Sequence, residues 1–263
     1  MPELPEVETV VRSLAPKLPG RRIVRARFFS HFVVHQNFRM LAGRLQGQQV
    51  HSVERHGKFI LMRLDRGVLA VHLGMTGKLL MDGTAGPYTR AWFELDEGIL
   101  VYDDIRHFGR IEWSEQLPSR IARLGPDALT VSREDFLNLL KRRKSRIKPL
   151  LLNQTFLRGM GNIYADESLF RARIHPLAIA SKLSGQRAGR LHAAIISVLT
   201  EAVRQKGSSI SDYVDANGNP GSFQSLHQAY GREGLPCVIC GTPICRIVVG
   251  QRGTHYCPKC QRS

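Results

Sequence analysis

Four of the five cysteines form two pairs near the end of the chain, Cys237 with Cys240 and Cys257 with Cys260, and 16 residues separate the pairs. Each pair brings two thiolates within reach of one ion, and the intervening length suits a β-hairpin. The spacing predicts one tetrahedral, structural Zn²⁺, because four protein ligands leave no position open for water. The alternative interpretation is two redox dithiols. Cys245 lies outside the pairs, and we expect it to fill an apolar site.

A second group of candidate functional residues is the basic run KRRKSRIK at residues 141–148, which has six positive charges in eight positions. As one helix it would carry charge on every face, and nucleic-acid phosphates would relieve the repulsion. The alternative is a solvated helix end. The GMGN sequence at residues 159–162 could bring backbone N–H groups to an anion, although its spacing favours a simple turn between helices. Arg252, near the hairpin tip, could contact phosphate or stay solvated.

The overall charge agrees with a polyanionic partner. The 38 Lys and Arg residues against 22 Asp and Glu give a formal net charge of +16, which favours nucleic acid or an anionic membrane. No apolar run approaches the roughly 18 residues that a membrane span needs. The acidic start MPELPEVETV has no basic or apolar signal region, so we expect a cytoplasmic protein.

Hydrophobic periodicity divides the 263 residues into a β half and an α half. The helical pattern PELPEVETVVRSLA precedes short strands typical of a sandwich or barrel. Helical spacing then follows, with Ser132 as an N-cap and a helix over residues 187–205 that ends near Gly207. Residues 214–222 (VDANGNPGS) predict a mobile loop. Strands are predicted at residues 23–28, 59–64, 68–73, 91–95, 99–102 and 110–113.

Blocks of sequence along the whole chain resemble the bacterial formamidopyrimidine-DNA glycosylases. They are MPELPEVETV, HGKFI, HLGMTG, DDIRHFGR, IKPLLLNQ, GMGNIYADESLF, NGNPGSFQ, AYGREGLPC and the four-cysteine tail. The initial PELPE together with the terminal cysteine hairpin is the most specific part. The resemblance implies an α+β fold with an N-terminal β-sandwich and its leading helix at residues 1–129. A helix–two-turn–helix domain at 130–228 and a zinc finger at 229–263 would follow.

The resemblance also implies a function. It indicates a bifunctional DNA glycosylase and AP lyase of base excision repair, which removes 8-oxoguanine and formamidopyrimidines from duplex DNA and cleaves the strand by β,δ-elimination. The implied partners are damaged double-stranded DNA and one structural Zn²⁺, with the protein as a monomer. One alternative is an endonuclease VIII-like enzyme for oxidised pyrimidines. The other is a non-catalytic zinc protein that binds DNA.

The same resemblance gives four residues catalytic roles. Pro2 would be the nucleophile that forms a Schiff base with the sugar once Met1 is removed. A terminal amine titrates near about 7.7–8.0, so part of it is neutral at pH 7. Glu3 would act as the general acid on the sugar ring oxygen. Lys58 would donate a proton and hold a phosphate, and Arg252 would donate a proton in δ-elimination.

Further residues match family positions at the DNA. Met75, Arg106 and Phe108 match a trio that enters the duplex where the damaged base leaves, although core packing is an equal alternative for Met75 and Phe108. The chain departs from the family pattern at His107 and at Tyr88, where Arg and His are usual. The loop at residues 214–230 would close over an extruded 8-oxoguanine. The implied DNA-contacting residues are His72, Met75, Tyr88, Arg106, Phe108, Arg143, Asn162 and Tyr230.

Overall fold

The computed structural model of this chain describes residues 2–262. The chain divides into two units. The first unit runs through Arg123 and takes in Gln205–Gln224, and the second comprises Leu124–Arg204 and the chain from Ser225 onward. Within the described residues, no helix has the length and apolar character needed to cross a membrane.

Two antiparallel sheets of four strands each make up most of the first unit. Their strand orders are β1-β6-β7-β5 and β2-β3-β4-β8, and one apolar core contains residues of both sheets and of the leading helix. This is the β-sandwich that the sequence predicted. The elements are α1 (Leu4–Leu14), β1 (Ile23–Phe28), α2 (Phe38–Leu45), β2 (Val50–His56), β3 (Phe59–Leu64), β4 (Val68–His72), β5 (Lys78–Met81), β6 (Thr89–Leu95), β7 (Ile99–Asp103), β8 (Arg110–Ser114) and α3 (Ser119–Ala122).

The leading helix α1 is specified locally and then buried. Pro5 stands in its first turn, and Glu3 and Glu6 form a capping box that satisfies N–H groups at the helix start. Val7, Val10 and Leu14 follow at helical spacing and are buried in the sandwich core. Since the early proline, the acids of the first turn and the apolar face could be seen in the sequence, this helix was predictable, whereas the cap is seen only in the structure.

The second unit is mainly helical and ends in a two-stranded hairpin. Ser132 caps α4 as predicted, because its side chain accepts the N–H of Asp135 at 3.0 Å. The long helix α7 ends at Arg204, and Lys206 and Gly207 then adopt positive φ angles of 58° and 79°. The elements are α4 (Arg133–Lys141), α5 (Ile147–Leu152), α6 (Asn162–Arg171), α7 (Gly185–Arg204), β9 (Cys245–Val249) and β10 (Arg252–Tyr256).

The division into units differs from the predicted boundaries at residues 129/130 and 228/229. The segment Gln205–Gln224 belongs to the sandwich unit, because Tyr213 and Ala216 are buried in its core and Met81 donates its N–H to the Ala216 carbonyl at 2.9 Å. The cysteine hairpin belongs to the helical unit, since Phe170 of α6 packs with Cys237 and Cys257 in one apolar cluster.

Residues 214–222, predicted as a mobile loop, have a defined internal turn. One carboxylate oxygen of Asp215 accepts the N–H groups of Asn217 and Asn219, each at 2.9 Å. Gly218 adopts a φ of +84°, as expected of glycine in a turn. Gly221 has a different role, because a Cβ atom there would lie 2.3 Å from the Gly207 carbonyl oxygen. The exposed part of this loop is therefore fixed at one end by the hydrogen bonds of Asp215 and at the other by the close packing of Gly221 against Gly207.

Candidate DNA-binding and zinc sites

The start of α1 places two of the predicted catalytic residues in a buried position. Pro2 and Glu3 are both buried, and Glu3 is only 2 % exposed. The Glu6 carboxylate accepts the N–H of Glu3 at 2.8 Å and the N–H of Ser208 at 2.7 Å. This carboxylate therefore joins the start of α1 to the segment that carries the 214–222 loop. Met1 lies outside the described residues.

Lys58 and His72 lie at neighbouring turns of one sheet. Lys58 occupies the two-residue turn between β2 and β3 and is buried, whereas His72 ends β4 opposite Phe59. Burial and, to a smaller extent, three nearby positive charges lower the pKa of His72 to about 4. The charges belong to Lys58, Arg120 and Arg110. The neutral ring accepts the N–H of Gly74 at Nδ1 (3.1 Å), so Nε2 carries the hydrogen and can donate it.

The loops that carry Met75 and Phe108 are packed backbone to backbone. A Cβ atom on Gly74 would lie 2.4 Å from the Phe108 carbonyl carbon, so only glycine allows this approach. The side chains of Met75 and Phe108 are 38 % and 56 % exposed, which excludes the alternative that they pack in the core. The Arg106 guanidinium lies 4.6 Å from the centroid of the Phe108 ring.

A buried carboxylate, Asp104, holds these two loops together. It is fully buried and accepts the hydroxyl hydrogen of Thr76 at 2.6 Å. It also accepts the backbone N–H groups of Arg106 at 3.2 Å and Gly109 at 2.8 Å. Asp104 therefore fixes both ends of the Arg106–Phe108 loop to the loop after Met75. Its position within the DDIRHFGR block gave no indication of this role.

Tyr88 contacts this arrangement through its backbone. It precedes β6, its side chain is about half exposed, and its carbonyl accepts the N–H of Asp104 at 2.9 Å. The structure thus gives Tyr88 a contact to the residue that holds the two loops. Its contact with DNA remains a prediction.

The four cysteines predicted as metal ligands converge in the second unit. Their ligand atoms all lie within 4.8 Å of one another, with Sγ–Sγ distances of 4.0 Å for Cys237–Cys260 and 3.5 Å for Cys240–Cys257. Tetrahedral Zn²⁺ with Zn–S bonds of about 2.3 Å requires sulfur atoms about 3.8 Å apart, so the donor set fits one zinc ion. Cys245 is half-buried at the start of β9 and outside this set.

The hairpin that follows carries Arg252 at an exposed position beside a two-residue turn. Gly250 and Gln251 both adopt positive φ angles, of 55° and 61°, which matches the twist of the flanking strands. Helix α6 holds the return strand. Asn162 donates to the Gly253 carbonyl at 2.9 Å, and Asp166, one turn further along α6, accepts the N–H of His255 at 2.9 Å. Asn162 therefore has a contact within the protein as well as its predicted contact with DNA.

Two adjacent acids of α6 organise different parts of this unit. Asp166 forms a fully buried ion pair with Lys148 of α5. Glu167, also fully buried, accepts the N–H groups of Gln228, Ala229 and Tyr230 at 2.8 to 3.1 Å. Burial raises the pKa of Glu167, and these three N–H donors act in the opposite direction. Glu167 thereby fixes the backbone at Tyr230, a predicted DNA-contacting residue.

The basic run differs from its prediction in two ways. It is not one helix, because α4 ends at Lys141 and α5 begins at Ile147. Lys148 contributes no surface charge, because its ammonium group is buried in the ion pair with Asp166. The other five basic residues are exposed. Arg143 lies in the connection, with its guanidinium 5.9 Å from the Phe156 ring centroid.

A β-sandwich led by a buried Pro-Glu pair, with helices and a four-cysteine hairpin in a second unit, defines a zinc-containing protein of the helix–two-turn–helix class. Three family profiles agree with this class. They are the formamidopyrimidine-DNA glycosylase N-terminal domain at residues 1–111, the H2TH domain of the same family at 124–214, and a zinc finger found in FPG and IleRS at 234–262.

Comparison with known proteins extends the match to the full chain. The chain is 55 % identical to a formamidopyrimidine-DNA glycosylase of Solibacter usitatus, and the alignment covers 100 % of both. It resembles the crystal structure of MutM (FPG) from Thermus thermophilus, with a TM-score of 0.89, 42 % identity and coverage of 99 % and 98 %. A Lactococcus lactis FPG mutant, in complex with DNA that contains Fapy-dG, gives a TM-score of 0.91 at 34 % identity with full coverage of both chains. The chain belongs to the formamidopyrimidine-DNA glycosylase family.

Proposed function

We propose that this chain is a bifunctional DNA glycosylase and AP lyase that removes oxidised purines from damaged double-stranded DNA. The observation that carries the proposal is the burial of Pro2 and the Glu3 carboxyl group at the start of α1. Glu3 also belongs to the capping box of α1, but a helix cap functions at the surface, and removing a carboxylate from water costs free energy that a capping role alone does not require. The names of the relatives and the lesion-containing DNA of the Lactococcus lactis complex support the same activity.

The proposed reaction begins when removal of Met1 frees the Pro2 amine. The amine attacks C1′ of the damaged nucleotide, and the bond from C1′ to the base breaks. The base leaves with the bonding electrons and takes up a proton. Glu3 protonates the ring oxygen as the sugar opens, which leaves a cationic iminium between Pro2 and C1′.

The iminium then acts as the electron sink for strand cleavage. Loss of a proton from C2′ breaks the C3′–O bond, and loss of a proton from C4′ breaks the C5′–O bond. Lys58 would hold a phosphate and donate a proton, and His72 would donate from Nε2 to a neighbouring phosphate. Arg252 would supply the proton in the second elimination. The enzyme would act as a monomer with one structural zinc ion, in the bacterial cytoplasm at the nucleoid.

Borohydride trapping on a panel of damaged duplexes tests this proposal. With 8-oxoguanine or formamidopyrimidine duplexes, we expect a covalent adduct that maps to the N-terminal peptide. A preparation that retains Met1 should give none, and this preparation is the matched control. An adduct that maps to Lys58 would reverse the assignment of the nucleophile.

The same panel of duplexes distinguishes an enzyme for oxidised purines from one for oxidised pyrimidines. We expect excision of 8-oxoguanine to exceed excision of thymine glycol, because the held segment at residues 214–222 provides a loop for an extruded purine. The opposite order would favour the endonuclease VIII-like alternative. Binding to every lesion without any cleavage or adduct would favour a non-catalytic DNA-binding protein.

A further inference from the structure

A cavity of about 320 Å³ opens on the first unit beside the loop that carries Phe108. Pro2, Glu3 and Lys58 do not line it, whereas His72, which the proposed function places at a neighbouring phosphate, does. The cavity therefore adjoins the proposed reaction centre and lies beside it. Its volume lies at the small end of the range for ligand sites, which begins at about 300 Å³. The residues that matter for the argument are Phe32, Phe59, His107, Phe108, Arg110 and Arg120.

One wall of the cavity is an aromatic side chain exposed to solvent. Phe32 is 75 % exposed, the highest value among the large apolar residues of the described chain. Its ring is in edge contact with His107, at 5.8 Å between centroids. His107 adopts a positive φ of 57° and shares a 2.8 Å hydrogen bond with Ser30. A positive φ is uncommon outside glycine. The chain therefore holds His107, the residue whose ring contacts Phe32, in a backbone conformation that few residues adopt.

The cavity is also cationic. The Arg110 guanidinium donates to Nε2 of His35 at 2.8 Å, and it has no carboxylate partner among the ion pairs of the described residues. Arg120 lies over the Phe59 ring at 5.4 Å and pairs with Glu112. Two guanidinium groups beside an exposed aromatic ring are a combination suited to phosphate and base of one nucleotide.

We propose that this cavity is a nucleotide subsite, in which a nucleobase stacks on Phe32 while its phosphate contacts Arg110 and Arg120. Its occupant is a nucleotide of the bound duplex other than the damaged one, close to the point where Phe108 enters. The inference rests on the proposed function for the presence of DNA. A free mononucleotide has the same chemistry, and titration with and without DNA separates the two sources.

Duplexes with 2-aminopurine at successive positions around the lesion, on either strand, test the subsite. We expect a fluorescence change on binding at one or two flanking positions, and its loss in Phe32→Ala. Phe32→Ala should also weaken binding about tenfold, since stacking of one base on an aromatic side chain has an effect of this size. Phe29→Ala is the matched control, because Phe29 is 54 % exposed on the same unit but does not line the cavity.

A second variant tests the proposed contact between the phosphate and Arg110. Arg110→Gln should weaken binding and reduce the salt dependence of log Kd by about one phosphate contact. Equal binding and equal fluorescence for wild type, Phe32→Ala and Phe29→Ala at every position would overturn the subsite. Titration with dAMP in the absence of DNA tests whether the cavity binds a free mononucleotide. Binding of dAMP that depends on Phe32, with no signal from any duplex position, would overturn the duplex assignment.

The two proposals fail in different ways. If the wild-type chain neither binds nor cleaves any lesion duplex, the proposed function fails before the variants are compared. If wild type cleaves 8-oxoguanine duplexes through Pro2 and Phe32→Ala behaves as Phe29→Ala does, only the subsite fails.

Discussion

The Thr76 hydroxyl donates to the buried carboxylate of Asp104 at 2.6 Å, which links two loops that are 28 residues apart in the chain. The same carboxylate accepts N–H groups on either side of Phe108. Met75, Arg106 and Phe108, the residues predicted to enter the duplex, form a proposed wedge whose two loops are therefore held in place by one buried acid. Filling the space of an extruded base demands side chains in fixed positions, since base extrusion itself costs a few kcal/mol.

Asp104→Asn should weaken lesion excision more than cleavage at a preformed abasic site. The amide nitrogen would face N–H donors, and each buried donor left without an acceptor costs about 1–3 kcal/mol. A preformed abasic site has no base to extrude, so cleavage there depends less on the wedge. The measurement is the ratio of single-turnover rates on the two substrates.

Asp103→Asn is the matched control for this prediction, because Asp103 accepts from Thr89 and not from the wedge loop. It should leave the ratio unchanged. If Asp104→Asn lowers both rates by the same factor, Asp104 supports the fold in general and does not position the wedge.

Zinc removal should affect the second unit selectively. Purified protein should contain about one zinc ion per chain, and Cys237→Ser should lose it together with most DNA binding. Cys257 packs with Phe170 of α6 in one apolar cluster. Loss of the ion should therefore loosen the packing of the cysteine hairpin against α6. Far-ultraviolet circular dichroism should change little, since the hairpin is small. Cys245→Ser, outside the ligand set, should retain both zinc and binding.

Features encoded by neighbouring residues were predictable from the sequence. The zinc ligands depend on two short spacings, and the Ser132 cap depends on a residue three positions away. The strands at 23–28 and 59–64 were predicted to the residue. In contrast, β2 (VHSVERH) was missed because only Val50 and Val53 are buried in it. Apolar residues three positions apart do not indicate a strand, which requires a period of two.

Features that depend on distant partners were not predictable. Glu167 holds a backbone segment about 61 residues away, and nothing near it in the chain indicates that role. Lys148 belongs to a basic run, and its burial becomes evident only when Asp166 is brought beside it. Likewise, residues 205–224 return to the sandwich through contacts at Ala216 that follow from the assembled core.

The basic run at residues 141–148 contains both an exposed residue, Arg143, and a buried one, Lys148, whose variants can be compared. Arg143→Ala should reduce the slope of log Kd against log salt by about 0.9, because an exposed guanidinium that neutralises one phosphate releases one counterion. Lys148→Met should leave that slope unchanged, since Lys148 is buried and paired within the protein. Its expected effect is on stability, with a loss of about 3–5 kcal/mol from the unpaired Asp166.

Fluorescence anisotropy over a range of salt concentrations measures these slopes. Binding of Lys148→Met must be recorded below its unfolding temperature. An unchanged slope for Arg143→Ala would place Arg143 on a solvated surface that DNA does not reach. A reduced slope for Lys148→Met would contradict the burial of its charge.

His72 should make the protein less stable as the pH falls from about 6.5 to about 4. Its pKa is lowered from 6.5 to about 4 in the folded chain, first by burial and then by nearby positive charges. Between these values the unfolded chain binds a proton that the folded chain does not, so the free energy of unfolding falls with pH by up to about 1.4 kcal/mol per unit. His227, whose pKa burial also lowers to about 4, acts in the same window and the same direction.

Substitution of these two histidines isolates their share of the pH dependence. His72→Asn and His227→Asn should each flatten the dependence of Tm on pH between about 6.5 and about 4, and the double variant should flatten it most, because asparagine binds no proton in either state. Differential scanning calorimetry at closely spaced pH values gives the comparison, and carboxylates that titrate in the same range contribute equally to all four proteins. A His72→Asn profile parallel to that of wild type would mean that the pKa of His72 is the same in the folded and unfolded chains, so that neither burial nor the nearby positive charges lower it.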